Sequence, residues 1–254
     1  MLQIHQFPCL SDNYGLLVHE PESGATAAID TPDAEEILRQ AAAKGWRITD
    51  VWNTHWHPDH AGGNAAIKAA TGAVVTGPAE VERIGTAADR IVGEGDVVQL
   101  GKTKARVLDV GGHTLGHVAF VFDAENIAFV GDALFALGCG RLFEGTPEQM
   151  WESLSKLAAL PEQTTLYCAH EYTQSNARFA VTVDAANAAL AARVAEIDRL
   201  RSEGKATVPM TLAQERATNP FLRAPLLKAA LGMPGAQDWE AFAEVRRRKD
   251  GFKG

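Results

Sequence analysis

The stretch Thr54-His55-Trp56-His57-Pro58-Asp59-His60 carries four residues that commonly bind metal ions, all within six positions. Imidazole nitrogens suit zinc and iron, and a carboxylate suits harder cations. The preceding pair Val51-Trp52 is typical of the end of a buried strand, so the four side chains fall where that strand stops. In an extended chain His55 and His57 point to the same side, while the proline after them turns the other two elsewhere. The spacing predicts two metal ions side by side rather than one.

Three more short apolar runs each end close to a histidine or an aspartate. Run 105–110 precedes His113, run 127–130 precedes Asp132, and run 164–167 precedes His170. Active-site loops of mixed folds follow the ends of strands in this way. Five of the eight histidines belong to the combined set, namely His55, His57, His60, His113 and His170. On spacing alone a late, isolated histidine such as His170 is equally typical of a hydrogen-bonded core residue.

The order of these motifs resembles that of the metallo-β-lactamase superfamily: His-x-His-x-Asp-His, then Gly-His-Thr-x-Gly-His, then Gly-Asp, then a late His. Within it the chain is similar to the glyoxalase II family, the hydroxyacylglutathione hydrolases. Further segments that resemble that family follow in its order: Gly-Cys-Gly-Arg-Leu-Phe-Glu-Gly at 138–145, His-Glu-Tyr-Thr at 170–173, Asn-Pro-Phe-Leu-Arg at 219–223 and Arg-Arg-Arg-Lys-Asp at 246–250. The first motif alone specifies only the superfamily, whereas the whole set spans nearly the entire chain.

The resemblance implies a binuclear metal centre. One metal would be held by His55, His57 and His113, the second by Asp59, His60 and His170, with Asp132 bridging the two. Each metal then keeps an open coordination position, which is the mark of a catalytic site. We expect two divalent ions per chain, zinc first, with iron and manganese also compatible with mixed His and Asp ligation. Metallo-β-lactamases commonly carry a cysteine where this chain has Asp132.

The implied reaction is hydrolysis of a glutathione thioester. S-D-lactoylglutathione would be cleaved to glutathione and D-lactate, the second step of methylglyoxal detoxification. A hydroxide that bridges the metals would attack the thioester carbonyl, with Asp59 and Asp132 as the catalytic carboxylates. The leaving thiolate, with a pKa of about 8.5, needs little help from a proton donor. The sequence offers no convincing Ser or Cys nucleophile paired with a base.

Five residues are expected to bind the substrate by the same resemblance: Arg141, Phe143, Tyr172, Arg246 and Lys249. Arg246 and Lys249 are three apart on a predicted helix and share a face, where two cations suit a carboxylate. On spacing alone, a solvated helix end that complements the helix dipole explains them equally well. Some family members carry Tyr where this chain has Phe143, which removes a hydroxyl from the substrate site and keeps the ring.

The alternation of apolar runs and turns predicts a mixed α/β domain at 1–173 followed by a helical domain at 174–254. Strands are predicted at 74–75, 97–100, 106–108, 119–122 and 127–130, and helices at 34–42, 146–159, 185–203, 226–231 and 239–249. Capping boxes are predicted at Thr146 and Thr211. The resemblance implies that the first domain is a four-layer αββα sandwich of the α/β class.

The composition is that of an ordinary globular protein, with 254 residues, 46% hydrophobic and 22% charged. A net charge of -8 argues against a nucleic-acid partner, which would require a basic face. Three widely spaced cysteines imply no disulfide framework and favour a reducing compartment. The start lacks the pattern of a signal peptide, and no apolar stretch approaches the ~18 residues of a membrane span. We therefore expect a cytoplasmic monomer without a membrane partner.

Two other functions fit parts of the pattern. A persulfide dioxygenase on the same scaffold would use one iron and a two-His, one-carboxylate set of ligands. A non-catalytic binding module is the second alternative, although unpaired buried carboxylates and imidazoles would be costly to keep. The seven-ligand set favours the hydrolase. His117 is expected to support the site rather than bind metal, and Cys168 to be a small buried residue.

Overall fold

The computed structural model describes residues 1–254 and divides them into two compact units. The N-terminal unit comprises Met1–Asp109 and Gly116–Gly131, and the C-terminal unit comprises Val110–Leu115 and Asp132–Gly254. The chain thus passes between the units more than once. The predicted domain boundary between 173 and 174 stays a prediction.

The first sheet of the N-terminal unit has six strands in chain order. They are Gln3–Cys9 (β1), Asn13–Glu20 (β2), Ala25–Ile29 (β3), Asp50–Trp52 (β4), Val74–Gly77 (β5) and Arg90–Ile91 (β6). The strands β1 to β3 pair antiparallel, and β3 to β6 pair parallel. Parallel neighbours need a crossover connection. Helix α1 (Ala34–Lys44) supplies it between β3 and β4, and helix α3 (Asn64–Thr71) between β4 and β5.

Helix α1 begins and ends for identifiable reasons. The Asp33 carboxylate accepts a hydrogen bond from the Glu36 backbone N–H, and Gly45 ends the helix with φ 69°. Between those caps, Ile37 and Ala41 are buried together with Ile67 of α3 in one apolar cluster that includes residues of the sheet. The two helices therefore cover one face of the first sheet. The helical spacing at 34–42 predicts α1, whereas α3 has no counterpart in the sequence prediction.

The second sheet of this unit is an antiparallel meander of Val97–Leu100 (β7), Thr103–Asp109 (β8), Val118–Phe122 (β9) and Ile127–Gly131 (β10). Every residue of β9 is buried, so both of its faces are covered. The Trp52 ring at the end of β4 stacks on Phe122 at 5.7 Å and tilts against Phe120 at 5.2 Å. These aromatic contacts pack β4, the strand that precedes residues 55–60, against β9 of the second sheet.

The C-terminal unit is mainly helical. Its strands are Leu134–Phe135 (β11), Gly138–Cys139 (β12), Thr165–Cys168 (β13) and Met210–Thr211 (β14). Its helices are Pro147–Ala158 (α4), Thr173–Val183 (α5), Ala188–Ser202 (α6), Leu212–Thr218 (α7), Ala224–Leu227 (α8) and Asp238–Asp250 (α9). Strands β11 and β12 form a short hairpin, and β13 pairs antiparallel with β14. No helix is both long and apolar enough to cross a bilayer.

Most predicted elements are confirmed, with corrections at their ends. Helix α6 starts at 188 rather than 185 because the Asn187 side chain accepts from the Leu190 N–H. The helix predicted at 226–231 is wrong in extent: α8 ends at Leu227, and turns then lead to Gly232 with φ 78°. Thr146 accepts from the Gln149 N–H, whereas the complete reciprocal box occurs at Thr211. Helix α5 has no counterpart in the sequence prediction.

The aromatic contacts between the sheets predict a large effect of Phe122→Ala. Phe122 is fully buried and packs against Trp52 and Phe129. Removing such a ring costs about 3–5 kcal/mol of unfolding free energy. Urea denaturation should show this loss, while Val97→Ala, at a residue that is 60% exposed, should change stability by less than about 0.5 kcal/mol. Equal effects would contradict the assignment of Phe122 to the core.

Candidate metal centre and substrate pocket

Four of the predicted ligands lie on the segment that follows β4. His55 and His60 are fully buried, while His57 and Asp59 are partly exposed. Pro58 occupies the first position of the short helix α2 (Pro58–Ala61), which begins directly after His57. His55 Nε2 lies 3.0 Å from His57 Nδ1, and His60 Nε2 lies 3.5 Å from an Asp59 carboxylate oxygen. The N-terminal unit thus presents imidazole and carboxylate donors in one compact segment.

The buried carboxylate of Asp30 orients two of these histidines. It accepts hydrogen bonds from the backbone N–H and the hydroxyl of Thr54 at 2.7 and 2.8 Å, and it lies 2.8 Å from Nδ1 of His60. The Thr54 hydroxyl in turn lies 3.0 Å from Nδ1 of His55. A ring whose Nδ1 donates to a carboxylate leaves its Nε2 for a metal. Asp30 therefore orients the His60 ring directly, so that Nε2 is the atom left for a metal, and it orients the His55 ring indirectly by way of the Thr54 hydroxyl.

Sequence reasoning missed Asp30, although the signal was present. Asp30 follows the apolar strand β3 just as the predicted ligands follow theirs. It adopts φ 59°, an uncommon value for a non-glycine residue, at the position where it accepts these bonds. Asn13 was missed as well: its Nδ2 donates to the Asp59 carboxylate at 3.1 Å and to the Asp59 backbone carbonyl at 3.2 Å.

The other three predicted ligands meet in the C-terminal unit, around Asp132. His113 Nε2 lies 3.5 Å from one carboxylate oxygen of Asp132, and His170 Nε2 lies 3.3 Å from the other. All three side chains are buried. The backbone carbonyl of Arg141 accepts from His113 Nδ1 at 2.8 Å, which directs Nε2 of that ring toward Asp132. A carboxylate with one imidazole at each oxygen has the arrangement that a bridging ligand requires.

His117 and Cys168 occupy supporting positions. His117 is fully buried in the N-terminal unit, and its ring stacks on His55 with centroids 4.6 Å apart. Cys168 is buried with its thiol directed at the backbone carbonyl of His170, 3.6 Å away. The burial of Cys168 agrees with the small buried residue expected from the sequence, and the supporting role of His117 stays a prediction.

A pocket of about 400 Å³ in the C-terminal unit contains every residue predicted to bind substrate. Two candidate metal ligands, His113 and Asp132, line the same pocket. The predicted substrate-binding residues in the lining are Arg141, Phe143, Tyr172, Arg246 and Lys249. Tyr172 stacks on His170 at 4.7 Å, and Phe143, which is 63% exposed, meets the His113 ring edge-on at 5.2 Å. The aromatic side chains therefore lie next to the candidate metal ligands.

The basic residues of α9 divide into an inward and an outward pair. Arg246 is only 5% exposed and donates to the Cys139 carbonyl at 3.0 Å, and half-buried Lys249 donates to the Ser175 carbonyl at 3.3 Å. Burial, reinforced by the neighbouring Arg246, Arg178 and Arg141, lowers the pKa of Lys249 to about 8. Arg247 and Arg248 instead pair with Glu244. The solvated helix end is thus formed by the outward pair alone.

Comparison with known proteins places this architecture in a family. The model of the metallo-beta-lactamase superfamily matches residues 21–170, and that of the hydroxyacylglutathione hydrolase C-terminus matches 171–252. A protein from Erythrobacter litoralis (strain HTCC2594), named hydroxyacylglutathione hydrolase, is 60% identical over 254 residues, which cover 99% of this chain and all of that protein. This chain belongs to the hydroxyacylglutathione hydrolase family.

Further comparisons agree with this placement. A hydroxyacylglutathione hydrolase from Hyphomonas neptunium (strain ATCC 15444) is 58% identical, with 99% of each chain covered. The structure of ETHE1 from Myxococcus xanthus superimposes with a TM-score of 0.69, covering 96% of this chain and 90% of that one at 24% identity. That likeness shows the fold. The predicted α/β class, a metallo-β-lactamase fold with a helical C-terminal region, is confirmed.

Members of this superfamily bind divalent metals, and the donor set of this hydroxyacylglutathione hydrolase family member fits them. Its His and Asp residues form clusters suited to two metal ions. Mixed imidazole and carboxylate donors match the preferences of zinc, iron and manganese. The Nδ1 atoms of His55, His60 and His113 each have a hydrogen-bond partner of the kind that fixes the ring orientation and tautomer of metal-binding histidines.

The contact between Asp30 and His60 predicts that Asp30→Asn weakens metal binding. The amide can still accept from Thr54 but lacks the second acceptor oxygen that holds the His60 ring. Partners of this kind contribute roughly tenfold to hundredfold in metal affinity. Competition between the apo-protein and a chelator for Zn²⁺ measures the loss. Asp33→Asn, which keeps a good helix cap away from the ligands, is the matched control, and equal affinities would exclude an orienting role for Asp30.

Proposed function

We propose that this chain hydrolyses S-(2-hydroxyacyl)glutathione thioesters, with S-D-lactoylglutathione as the reference substrate, giving glutathione and D-lactate. The observation that carries the proposal is the pocket in which His113 and Asp132 share a wall with Arg141 and Lys249. A reaction centre and cationic side chains for a carboxylate-bearing handle thus occur in one cavity. The names of relatives at 50–60% identity over nearly the full length support the same reaction.

We assign one metal to His55, His57 and His113, the second to Asp59, His60 and His170, and the bridging position to Asp132. The assignment follows the resemblance to the family, and the His and Asp residues of the chain form clusters suited to two metal ions. When bound, two divalent ions would lower the pKa of a water to about 7 and polarise the thioester carbonyl. Zinc is the proposed metal, with iron and manganese also suited to these donors.

The carboxylates of Asp59 and Asp132 are the proposed catalytic groups. The Asn13 amide donates to Asp59 and restricts its orientation, so that a carboxylate oxygen is held ready to accept a proton from the attacking water. Asp132 is fixed between two imidazoles. The departing glutathione thiolate has a pKa of about 8.5 and leaves without a dedicated proton donor. The buried thiols are poor alternative nucleophiles, since burial raises the pKa of Cys139 to about 11.

The glutathione part of the substrate is proposed to occupy the basic half of the pocket. Arg141 and Lys249 are cationic groups for a carboxylate, and Arg246 adds charge from within the wall. Phe143 and Tyr172 would pack against the chain near the sulfur. In a protein of net charge -8, such a local concentration of cations is expected to steer an anionic substrate to the site.

The remaining proposals concern the setting of the reaction. Three buried free cysteines fit a reducing compartment, and we propose the cytoplasm. We further propose that the enzyme acts as a monomer without a nucleic-acid or membrane partner. A single-iron dioxygenase would leave most of the seven donors without a role, whereas a binuclear hydrolase uses all of them.

Hydrolysis of two thioesters tests the proposed function. The metal-loaded enzyme should cleave S-D-lactoylglutathione with a kcat/KM at least about tenfold above that for the D-lactoyl thioester of N-acetylcysteamine, because the latter lacks the charged handle. Elemental analysis should give close to two metals per chain, and Asp132→Ala should lose metal and activity together. No hydrolysis by the loaded wild type, or equal kcat/KM on both thioesters, would refute the proposal.

The lowered pKa of Lys249 predicts a pH-dependent KM. The ammonium is present below about pH 8 and is lost as the pH rises through that value, so KM for the glutathione thioester should increase above pH 8. A charge-assisted hydrogen bond contributes about 1.5–3 kcal/mol, so Lys249→Met should raise KM about tenfold or more at pH 7.

Lys249→Arg is the matched variant for this prediction, because its charge does not titrate in the same range. Steady-state kinetics from pH 6.5 to 9.5 (a range of roughly one unit or more on either side of the lysine pKa) should show a KM that is flatter in the arginine variant than in the wild type. The same rise of KM in both proteins would place the titrating group on the substrate or elsewhere in the site.

A further inference from the structure

The hairpin formed by β11 and β12 connects the candidate ligand Asp132 to Arg141, whose backbone carbonyl contacts the candidate ligand His113. Asp132 lies two residues before β11, and Arg141 lies two residues after β12. The Arg141 carbonyl is the group that accepts from His113 Nδ1 at 2.8 Å. The position of the hairpin therefore determines the backbone positions of Asp132 and of Arg141, the hydrogen-bond partner of His113.

Close packing leaves this hairpin little freedom to shift without moving the ligands. At Gly140 a Cβ atom would collide with the Asp132 carbonyl and come within 3.0 Å of His113 Nδ1. At Gly138 it would collide with the side-chain amide of Asn176, whose Nδ2 donates to the Ala136 carbonyl at 3.1 Å. Gly140, the residue directly after β12, thus packs against Asp132 and His113, so that a shift of the hairpin would displace both residues.

Two fully buried polar residues hold the hairpin from the helical side. Asn219 contacts both strands through Nδ2, which lies 3.1 Å from the Phe135 carbonyl and 2.9 Å from the Gly138 carbonyl. Glu215 in the middle of α7 accepts from the backbone N–H of Leu137 at 2.9 Å, in the turn between the strands, and from Asn219 at 2.9 Å. Both residues are 0% exposed.

The turn needs such a restraint because Leu137 adopts a left-handed conformation with φ 56°. A non-glycine residue keeps a value of this kind only where its surroundings determine it. The charge of Glu215 is balanced by the buried guanidinium of Arg193, which also donates to the Thr218 hydroxyl at 2.6 Å. A buried carboxylate with a cationic partner and several donors is a fully satisfied network, which favours a single rigid arrangement.

We propose that Glu215 and Asn219 are positioning residues of the metal centre. They fix the hairpin, and through Gly140 and the Arg141 carbonyl they hold His113 and Asp132 in the geometry that metal binding requires. This inference rests on the metal centre of the proposed function. It gives Asn219, the first residue of the segment 219–223, a role that the reaction itself does not supply.

Binding of Co²⁺ to the apo-protein, followed by its absorption spectrum, tests the proposal without relying on turnover. Glu215→Gln and Asn219→Ala should each weaken Co²⁺ binding about tenfold and alter the spectrum of the bound ion. Hydrogen exchange over 133–141 should be faster than in the wild type. In the Zn²⁺-loaded enzyme kcat should fall about tenfold, because the candidate ligands His113 and Asp132 lose their geometry.

Asp184→Asn is the matched control. Asp184 is a buried carboxylate of the same unit, and its oxygens accept from Arg223 Nε at 2.7 Å and from Asn187 Nδ2 at 2.8 Å rather than from the hairpin. It should lose stability and keep wild-type Co²⁺ binding. Asn219→Ser, which retains one donor, should show an intermediate shift, and it decides the question if Glu215→Gln does not fold.

Wild-type Co²⁺ affinity and spectra in folded Asn219→Ala and Asn219→Ser would overturn the proposal and leave the two residues with a purely structural role. Equal weakening in Asp184→Asn would overturn it as well. If the wild type bound Co²⁺ but hydrolysed no glutathione thioester, the proposed function would fail, while a selective loss of Co²⁺ affinity in the Asn219 variants would still support the positioning role.

Discussion

The site depends on one buried carboxylate shared by two imidazoles. Asp132 presents one carboxylate oxygen to His113 and the other to His170, and it is only 7% exposed where it lines the pocket. A buried carboxylate is costly unless it is paired or coordinates a cation, so this geometry persists only if the histidines are held on both sides. Two contacts in the C-terminal unit hold these histidines: the Arg141 carbonyl accepts from His113 Nδ1, and the Tyr172 ring stacks on His170.

The N-terminal unit meets the same demand with a different device. There the donors follow β4, and the carboxylate of Asp30 at the end of β3 holds them from behind, through His60 and Thr54. Neighbouring parallel strands end at the same edge of a sheet, so a residue after β3 can reach residues after β4. Strand pairing thus brings an orienting group and its ligands together although they are 30 residues apart in sequence.

The sequence could predict the metal ligands better than the residues that hold those ligands in place. The ligands at 55–60 can be recognised in the sequence, because four metal-binding residues in six positions have no common structural explanation. Helix α1 can be recognised because its capping residues, Asp33 and Gly45, are local in sequence. The groups that hold the ligands carry no such signal, because a single Asp or Asn at the end of an element is ordinary. Glu215 and Leu137 are 78 residues apart, and only the tertiary fold brings them into contact. The inward and outward halves of the run 246–249 likewise depend on which face of α9 is buried.

The two inward cations of α9 differ in what they have left to offer a substrate. The Arg246 guanidinium already donates to the Cys139 carbonyl, pairs with Asp250 at 2.8 Å and lies 5.0 Å over the Phe221 ring. The Lys249 ammonium has three donors, of which one reaches the Ser175 carbonyl. Arg246 therefore contributes a fixed positive field and supports the wall at Cys139, whereas Lys249 retains donors for direct contact. Burial is the main cause of the lowered pKa of Lys249, and the neighbouring Arg246, Arg178 and Arg141 add to it against the opposing charge of Asp250. The carboxylate of a bound substrate would offset these cations.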